Sequence, residues 1–229
     1  MTTNLLSAAA DFIFPKTSII SDERLEENNS NQYISDREIC TIPRVTSEDL
    51  SELKNKIISD YSLSVFAFRD GDDFSKIIYQ LKYGGMKRLG VYLGRFLGEE
   101  MKCNLNNISE YGLLIPVPLF KSKIRERGYN QSDYICKGMN EILCMDFKND
   151  LVKRTRHTTT QTKLTREERM RNMKDAFELN KKFKNKIHGK RIILVDDVVT
   201  TGATMNEVIK VLKQNQCGEI IACSLAMAR

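Results

Sequence analysis

Residues 191–204 read RIILVDDVVTTGAT, and this string constrains the chain more tightly than any other stretch. Ile192 to Val195 form an apolar run that suits a strand buried on both faces, as in a parallel sheet. Asp196 and Asp197 follow at once. Two consecutive carboxylates cannot both stay in an apolar core without a large desolvation cost. The string therefore predicts a strand that ends at the two acids, which face a crevice. Thr200, Thr201, Gly202, Ala203 and Thr204 come next, and Met205, Val208, Ile209 and Leu212 then recur at helical spacing. The reading is strand, short loop, helix start.

A helix start carries unpaired N–H groups and the positive end of the helix dipole. Threonine hydroxyls beside those amides make a phosphate cradle, and Gly202 lets the backbone approach an anion closely. The acids lie too near that cradle to bind phosphate themselves. They suit ribose hydroxyls or the water shell of Mg²⁺. Any one of these residues alone fits a turn or helix cap equally well; the ordered string fits a sugar phosphate.

The 229-residue chain is 41% hydrophobic and 29% charged, an ordinary globular composition. The opening MTTNLLSAAADFIFP has no basic leader, and Asp11 interrupts its apolar run, so neither signal peptide nor membrane insertion is expected and the predicted location is cytoplasmic. Six cysteines show no C-x-x-C pair, which predicts reduced, mostly buried thiols. The net charge of +6 is uneven. Residues 22–60 hold ten acids and five bases, whereas residues 148–174 hold nine bases and three acids, so the latter segment is a candidate for phosphate contact.

Residues 1–60 read as a small N-terminal module, polar and irregular after an apolar Phe12-Ile13-Phe14-Pro15 patch. From residue 61 the pattern sharpens. Val65 to Phe68 predict a strand, and Phe74, Ile77, Ile78 and Leu81 mark one face of a helix ending at Lys82-Tyr83-Gly84-Gly85. A second helix starts near Met86. Tyr111 to Ile115 predict another buried strand, closed by Pro116-Val117-Pro118.

Leu119 to Gln131 then read as a basic loop, with Lys121, Lys123, Arg125 and Arg127 against Glu126 alone. Its place after a strand favours anion binding over a solvated loop, because ligands of open α/β sheets gather outside the strands' carboxyl ends. Arg127-Gly128-Tyr129-Asn130-Gln131 adds amide donors at the start of a helix through Ile135, Met139 and Ile142. Leu151 to Leu179 form the most basic segment, rich in threonine, with a capping box at Thr165-Arg166-Glu167-Glu168. His157 reads as an exposed bystander rather than an acid or base, His188 as turn filler, and Cys217 and Cys223 as core residues.

IILVDDVVTTGAT resembles the phosphoribosyl-pyrophosphate (PRPP) signature of type I phosphoribosyltransferases. With PVPL, RGYNQ, the series Arg154, Gln161, Leu164, Arg169, Asn172 and Phe177, and the LKYGG segment, residues 61–229 resemble the ComF family of phosphoribosyltransferase-like competence proteins. That resemblance implies an α/β fold, an open mostly parallel sheet of the type I phosphoribosyltransferase kind. Residues 1–60 depart from the family's four-cysteine zinc ribbon, keeping only Cys40 among plausible ligands, so no zinc is expected.

The resemblance also implies roles. Thr200, Thr201, Gly202, Ala203 and Thr204 would hold the 5′-phosphate of PRPP. Asp196 and Asp197 would hold the ribose hydroxyls and Mg²⁺ through water. Lys121, Arg125 and Arg127 would bind pyrophosphate, with Asp196, Asp197 and Arg127 as the catalytic set. Arg154, Arg156 and Arg169 would belong to a flexible loop closing over the ligand. The implied activity is transfer of phosphoribose from PRPP to an acceptor, with release of pyrophosphate. No C-terminal hood for that acceptor follows the last predicted strand, which leaves the N-terminal module to supply one. The alternative is a nucleic-acid-binding protein assisting DNA uptake, contacting single- or double-stranded DNA and using PRPP as a regulatory ligand or not turning it over. A degenerate scaffold binding neither is disfavoured by the intact Asp196, Asp197 and Gly202.

Overall fold

The computed structural model describes residues 15–69, 71–156 and 173–228. In chain order its main elements are α1 (Asp36–Thr41), α2 (Ser47–Lys56), β1 (Tyr61–Phe68), α3 (Asp73–Tyr83), α4 (Lys87–Asn104) and β2 (Leu113–Pro116). There follow α5 (Lys121–Arg127), α6 (Gln131–Leu143), β3 (Asp146–Phe147), β4 (Val152–Arg154), β5 (Phe177–Leu179), β6 (Ile192–Val199), α7 (Ala203–Gln214) and β7 (Ile220–Ala228). Five strands form one parallel sheet in the order β1-β7-β6-β2-β3, while β4 and β5 pair separately and antiparallel. The architecture is the open, parallel α/β sheet expected from the sequence.

The continuous apolar runs of β6 and β7 are explained by two-sided burial. Ile193 and Val195 pack into one cluster with Phe74, Leu93 and Ile135, and Ile192 and Leu194 into another with Val208 and Leu212. β6 and β2 are neighbours, yet β6 feeds β7 on one side through α7, and β2 feeds β3 on the other through α5 and α6. Connections leaving adjacent strands in opposite directions open a crevice at their carboxyl ends. The two stretches singled out in the sequence, 119–131 and 196–204, flank that crevice.

β6 does not stop at its acids: it runs through Asp196 and Asp197 to Val199, pairing with β7 as far as Val199 opposite Met227. The acids are tolerated inside the strand because polar partners reach them from two helices. The basic stretch after β2 is a helix rather than a loop. α5 has no buried residue and ends at Gly128 in the left-handed region, so its charges sit on a solvated surface helix. The thiols also differ from expectation: Cys136 and Cys223 are buried, but Cys40, Cys103 and Cys144 are exposed.

The polar stretch before β1 is more ordered than its composition suggests. Capping boxes start both helices, Ser35 with Glu38 for α1 and Thr46 with Asp49 for α2. The Val45 N–H bonds to the Val65 carbonyl at 3.1 Å and the Ala67 N–H to the Pro43 carbonyl at 3.0 Å, which occupies part of the outer edge of β1. Phe12, Ile13 and Phe14 lie outside the described residues. Among the described residues no helix is long and apolar enough to cross a membrane.

α4 lies against α6, and a Cβ added at Gly94 would stand 2.1 Å from the Ile135 carbonyl oxygen. The two backbones touch there, so Gly94→Ala must push the helices apart. The expected cost is about 1–3 kcal/mol, seen as a lower urea midpoint at unchanged slope.

Candidate functional site

Asp196 and Asp197 are adjacent in β6 but held from different elements. The Ser132 hydroxyl, in the first turn of α6, donates to Asp196 Oδ1 at 3.1 Å. Lys82 Nζ, near the end of α3, stands 3.3 Å from Asp197 Oδ2. The backbone contributes too: the Asp197 N–H donates to Asp196 Oδ1 at 2.9 Å and the Val198 N–H to Asp197 Oδ1 at 2.8 Å. Burial, and next the charge of Asp197, push Asp196 up to about 7, against the opposing pull of the Asp197 N–H, Lys82 and Ser132. Crowding two carboxylates into one partly dry place is electrostatically costly, and Lys82 offsets only part of that cost.

On one side of the acids is the loop before α7. Gly202 is the N-cap of α7 at φ 75° and has no side chain to cap it, while the Ala203 N–H donates to Thr201 Oγ1 at 3.4 Å. A small cleft is lined by Asp196 and by residues 198–205. Thr200 is exposed and Thr201 and Thr204 are partly covered, so hydroxyls and first-turn amides lie together beside a carboxylate. Gly202 also sits against α2, where a Cβ would be 2.6 Å from the Lys56 carbonyl oxygen. Asn206 locks that approach: its Nδ2 donates to the Lys56 carbonyl at 2.8 Å, and its Oδ1 accepts from the Ile58 N–H at 2.9 Å.

On the other side is the start of α6, entered through residues 127–131. The Tyr129 hydroxyl donates to the Leu81 carbonyl, tying this turn to the end of α3. Asn130 Nδ2 donates to the Val117 carbonyl at 3.1 Å. Arg127 Nη1 donates to Gln131 Oε1 at 3.0 Å, and its guanidinium carbon lies 5.3 Å from the Tyr83 ring centre. Among the described residues, Arg127 Nε and Gln131 Nε2 are buried donors with no hydrogen-bond partner, and Asn130 Oδ1 is a buried acceptor with none. Buried donors left unmade are costly, and two of them beside a carboxylate pair make a receptive place for anionic oxygen.

The predicted residues divide accordingly. Asp196, Thr200, Thr201, Gly202, Ala203 and Thr204 line one cleft, Asp197 beside them is held by Lys82, and Arg127 is linked to the group through Gln131 and the neighbouring Ser132. Lys121 and Arg125 are exposed on α5, with no hydrogen bond or ion pair among the described residues. Arg154, at the end of β4, is half-buried, its pKa lowered by burial against the charge of Asp196. Arg156 Nη2 donates to the Lys174 carbonyl at 2.7 Å. Arg169, His157 and the Thr165–Glu168 capping box lie outside the described residues. Ser132 and Asn206 were not anticipated, because neither stands in a motif and each acts on a residue distant in sequence.

Among the described residues no group of three or more His, Cys, Asp or Glu is placed to hold a metal. Two adjacent carboxylates nonetheless suit Mg²⁺, which takes one or two protein oxygens, keeps several waters and completes its shell with ligand phosphates.

The phosphoribosyl transferase domain model matches residues 147–229. Competence protein F of Haemophilus influenzae is 42% identical over 115 residues, covering 50% of each chain. This chain is similar to it over that half and matches the phosphoribosyl transferase domain model in its C-terminal part. DNA utilization protein YhgH of Escherichia coli is 36% identical over 146 residues, covering 62% of this chain and 61% of the relative. The matched region thus spans about half to three fifths of the length of these relatives. A solved hypoxanthine phosphoribosyltransferase from Staphylococcus aureus aligns at 14% identity with a TM-score of 0.37, over 61% of this chain and 64% of that one.

Proposed function

We propose that the crevice between β6 and β2 binds PRPP with Mg²⁺, and that residues 61–229 are the phosphoribosyltransferase-like part of the chain. The observation carrying this reading is the acid pair set between two helix starts, α7 and α6. A ligand with phosphate at both ends and hydroxyls between them has the matching order of charges. Thr200, Thr201, Gly202, Ala203 and Thr204 take the 5′-phosphate, and Asp196 and Asp197 the ribose hydroxyls and the hydrated metal. Arg127 and Gln131 take the pyrophosphate, with Lys121 and Arg125 adding long-range attraction from α5. Arg154, Arg156 and Arg169 are assigned to the loop that closes over the ligand.

In transfer, a nucleophile bonds to ribose C1 while the bond from C1 to the pyrophosphate oxygen breaks with its electron pair. Mg²⁺ supplies charge neutralisation on the phosphates. The protein positions the ribose and stabilises the departing negative charge. Residues 1–60 are assigned to the acceptor side, and the assigned location is the cytoplasm.

The test is thermal. At a hundredfold excess over Kd, PRPP with Mg²⁺ is expected to raise the melting temperature by about 5–10 °C, and Asp196→Asn with Asp197→Asn to abolish the rise. No shift in the intact protein sinks the reading. Pyrophosphate release that depends on an added acceptor would establish transfer as well as binding.

A second reading, nucleic-acid binding in DNA uptake with PRPP as a regulatory or unturned ligand, is supported by the relatives' names. The specific observation in its favour is an exposed aromatic pair beside the basic helix α5.

A further inference from the structure

Tyr79 and Tyr83, one turn apart on α3, are 61% and 52% exposed, and they are two of the four most exposed large hydrophobic residues among those described. Their ring centres are 5.1 Å apart. Burial of these rings would be favourable, yet they stand in water beside one another. Arg127, the last residue of α5, lies over Tyr83, and Lys121 and Arg125 are exposed on the same helix. Of the bases on α5, Lys123 is neutralised by Glu126 at 2.9 Å, which leaves Lys121, Arg125 and Arg127 as its uncompensated charges.

The geometry points to a single-stranded nucleic-acid ledge: two unpaired bases stack on Tyr79 and Tyr83 while the connecting phosphates run along α5. This rests on the second reading above and gives it a surface. The argument is complementarity. A row of uncompensated cations fits a polyanion, and exposed rings beside it fit a polyanion whose flat groups are free to stack. A duplex keeps its bases inside and offers only the phosphates, so it would use half of the surface. An acidic peptide matches the charge and leaves the rings unused. The ledge also adjoins the crevice, because Lys82 pairs with Asp197 one position before Tyr83. A strand lying here would pass the mouth of the PRPP site.

The experiment is fluorescence anisotropy with fluorescein-labelled oligo(dT), the same strand annealed to oligo(dA), and poly-glutamate as competitor, using the full chain. The wild type is expected to bind the single strand more tightly than the duplex. Tyr79→Ala with Tyr83→Ala should weaken it by about tenfold or more, and Tyr79→Phe with Tyr83→Phe should stay within about twofold, since a phenyl ring still stacks. Tyr79→Ala alone, which removes only a surface ring, guards against a folding defect and should give an intermediate loss at unchanged melting temperature. Lys121→Ala with Arg125→Ala should lower the slope of log affinity against log salt by about 1.4.

If the wild type binds no nucleic acid, the second reading falls and the ledge with it. If it binds and the alanine pair binds equally, the ledge alone is wrong. Equal affinity for duplex, or poly-glutamate competing as well as oligo(dT), would also overturn it.

Discussion

In metal-free buffer at pH 8, Asp196→Asn should melt higher than the wild-type chain, although it removes a residue of the proposed ligand site. Asp196 is pushed up to about 7 from 3.8, chiefly by burial and then by the charge of Asp197. Below pH about 4 the carboxyl is neutral in both states and imposes nothing. As pH rises from there towards 7, the unfolded chain releases this proton while the folded chain keeps it. The folded state then binds more protons, so stability falls with rising pH. Above about 7 the full penalty is present, on the order of 4 kcal/mol.

Asparagine has no such titration and can still accept from Ser132. The gain over wild type should therefore be near zero at pH 4, grow through pH 5 and 6, and level off above 7. Melting curves across that range in EDTA measure it directly. A variant that melts lower at pH 8, or a gain independent of pH, would contradict the electrostatic account. The same variant should lose its response to PRPP with Mg²⁺. Stability gained and binding lost at one residue is the mark of a carboxylate kept for a ligand rather than for the fold.

How much of this was legible in sequence depends on how local each cause is. β6, its loop and α7 could be read because apolar run, acids, hydroxyls, glycine and helical periodicity follow one another without a gap. α3 and α6 were equally plain from their spacing. The continuation of β6 through two acids was not, because Ser132 and Lys82 supply what makes it tolerable and neither is near in sequence. α5 was hidden for another reason: a seven-residue surface helix with nothing buried has no apolar face to reveal it. The helices before β1 did carry a local signal, the Ser35/Glu38 and Thr46/Asp49 capping pairs, overshadowed by a polar composition that resembles disorder.

The site itself follows the same division. The proposed phosphate loop is written in consecutive residues, whereas the crevice exists only because β2 and β6 are neighbours and send their chains opposite ways. RGYNQ suggested donors at a helix start. Only the fold shows Gln131 Nε2 and Arg127 Nε to be buried and without partners, which turns a plausible surface turn into a place with an unmet demand for acceptors.

Gly202→Ala should be the most damaging small substitution in the phosphate loop. Two separate costs fall on one methyl group. A residue with a side chain at φ 75° costs about 1–2 kcal/mol in backbone strain. The added Cβ would also stand 2.6 Å from the Lys56 carbonyl oxygen, a backbone atom that cannot swing aside. Either the start of α7 lifts or the end of α2 retreats. In both cases Asn206 loses its bonds to the Lys56 carbonyl and the Ile58 N–H, and the first-turn amides leave the cleft. The expected loss is about 2–4 kcal/mol, together with the response to PRPP and Mg²⁺. Gly71 separates the two costs, since its φ is 94° but nothing lies within 4 Å of its Cβ position. Gly71→Ala should lose about 1 kcal/mol and keep the ligand response. Urea melts of the two variants side by side, with PRPP titrations, decide the matter: equal losses would mean that Gly202 answers to its backbone angle alone, and that the contact between α2 and the phosphate loop does not shape the site.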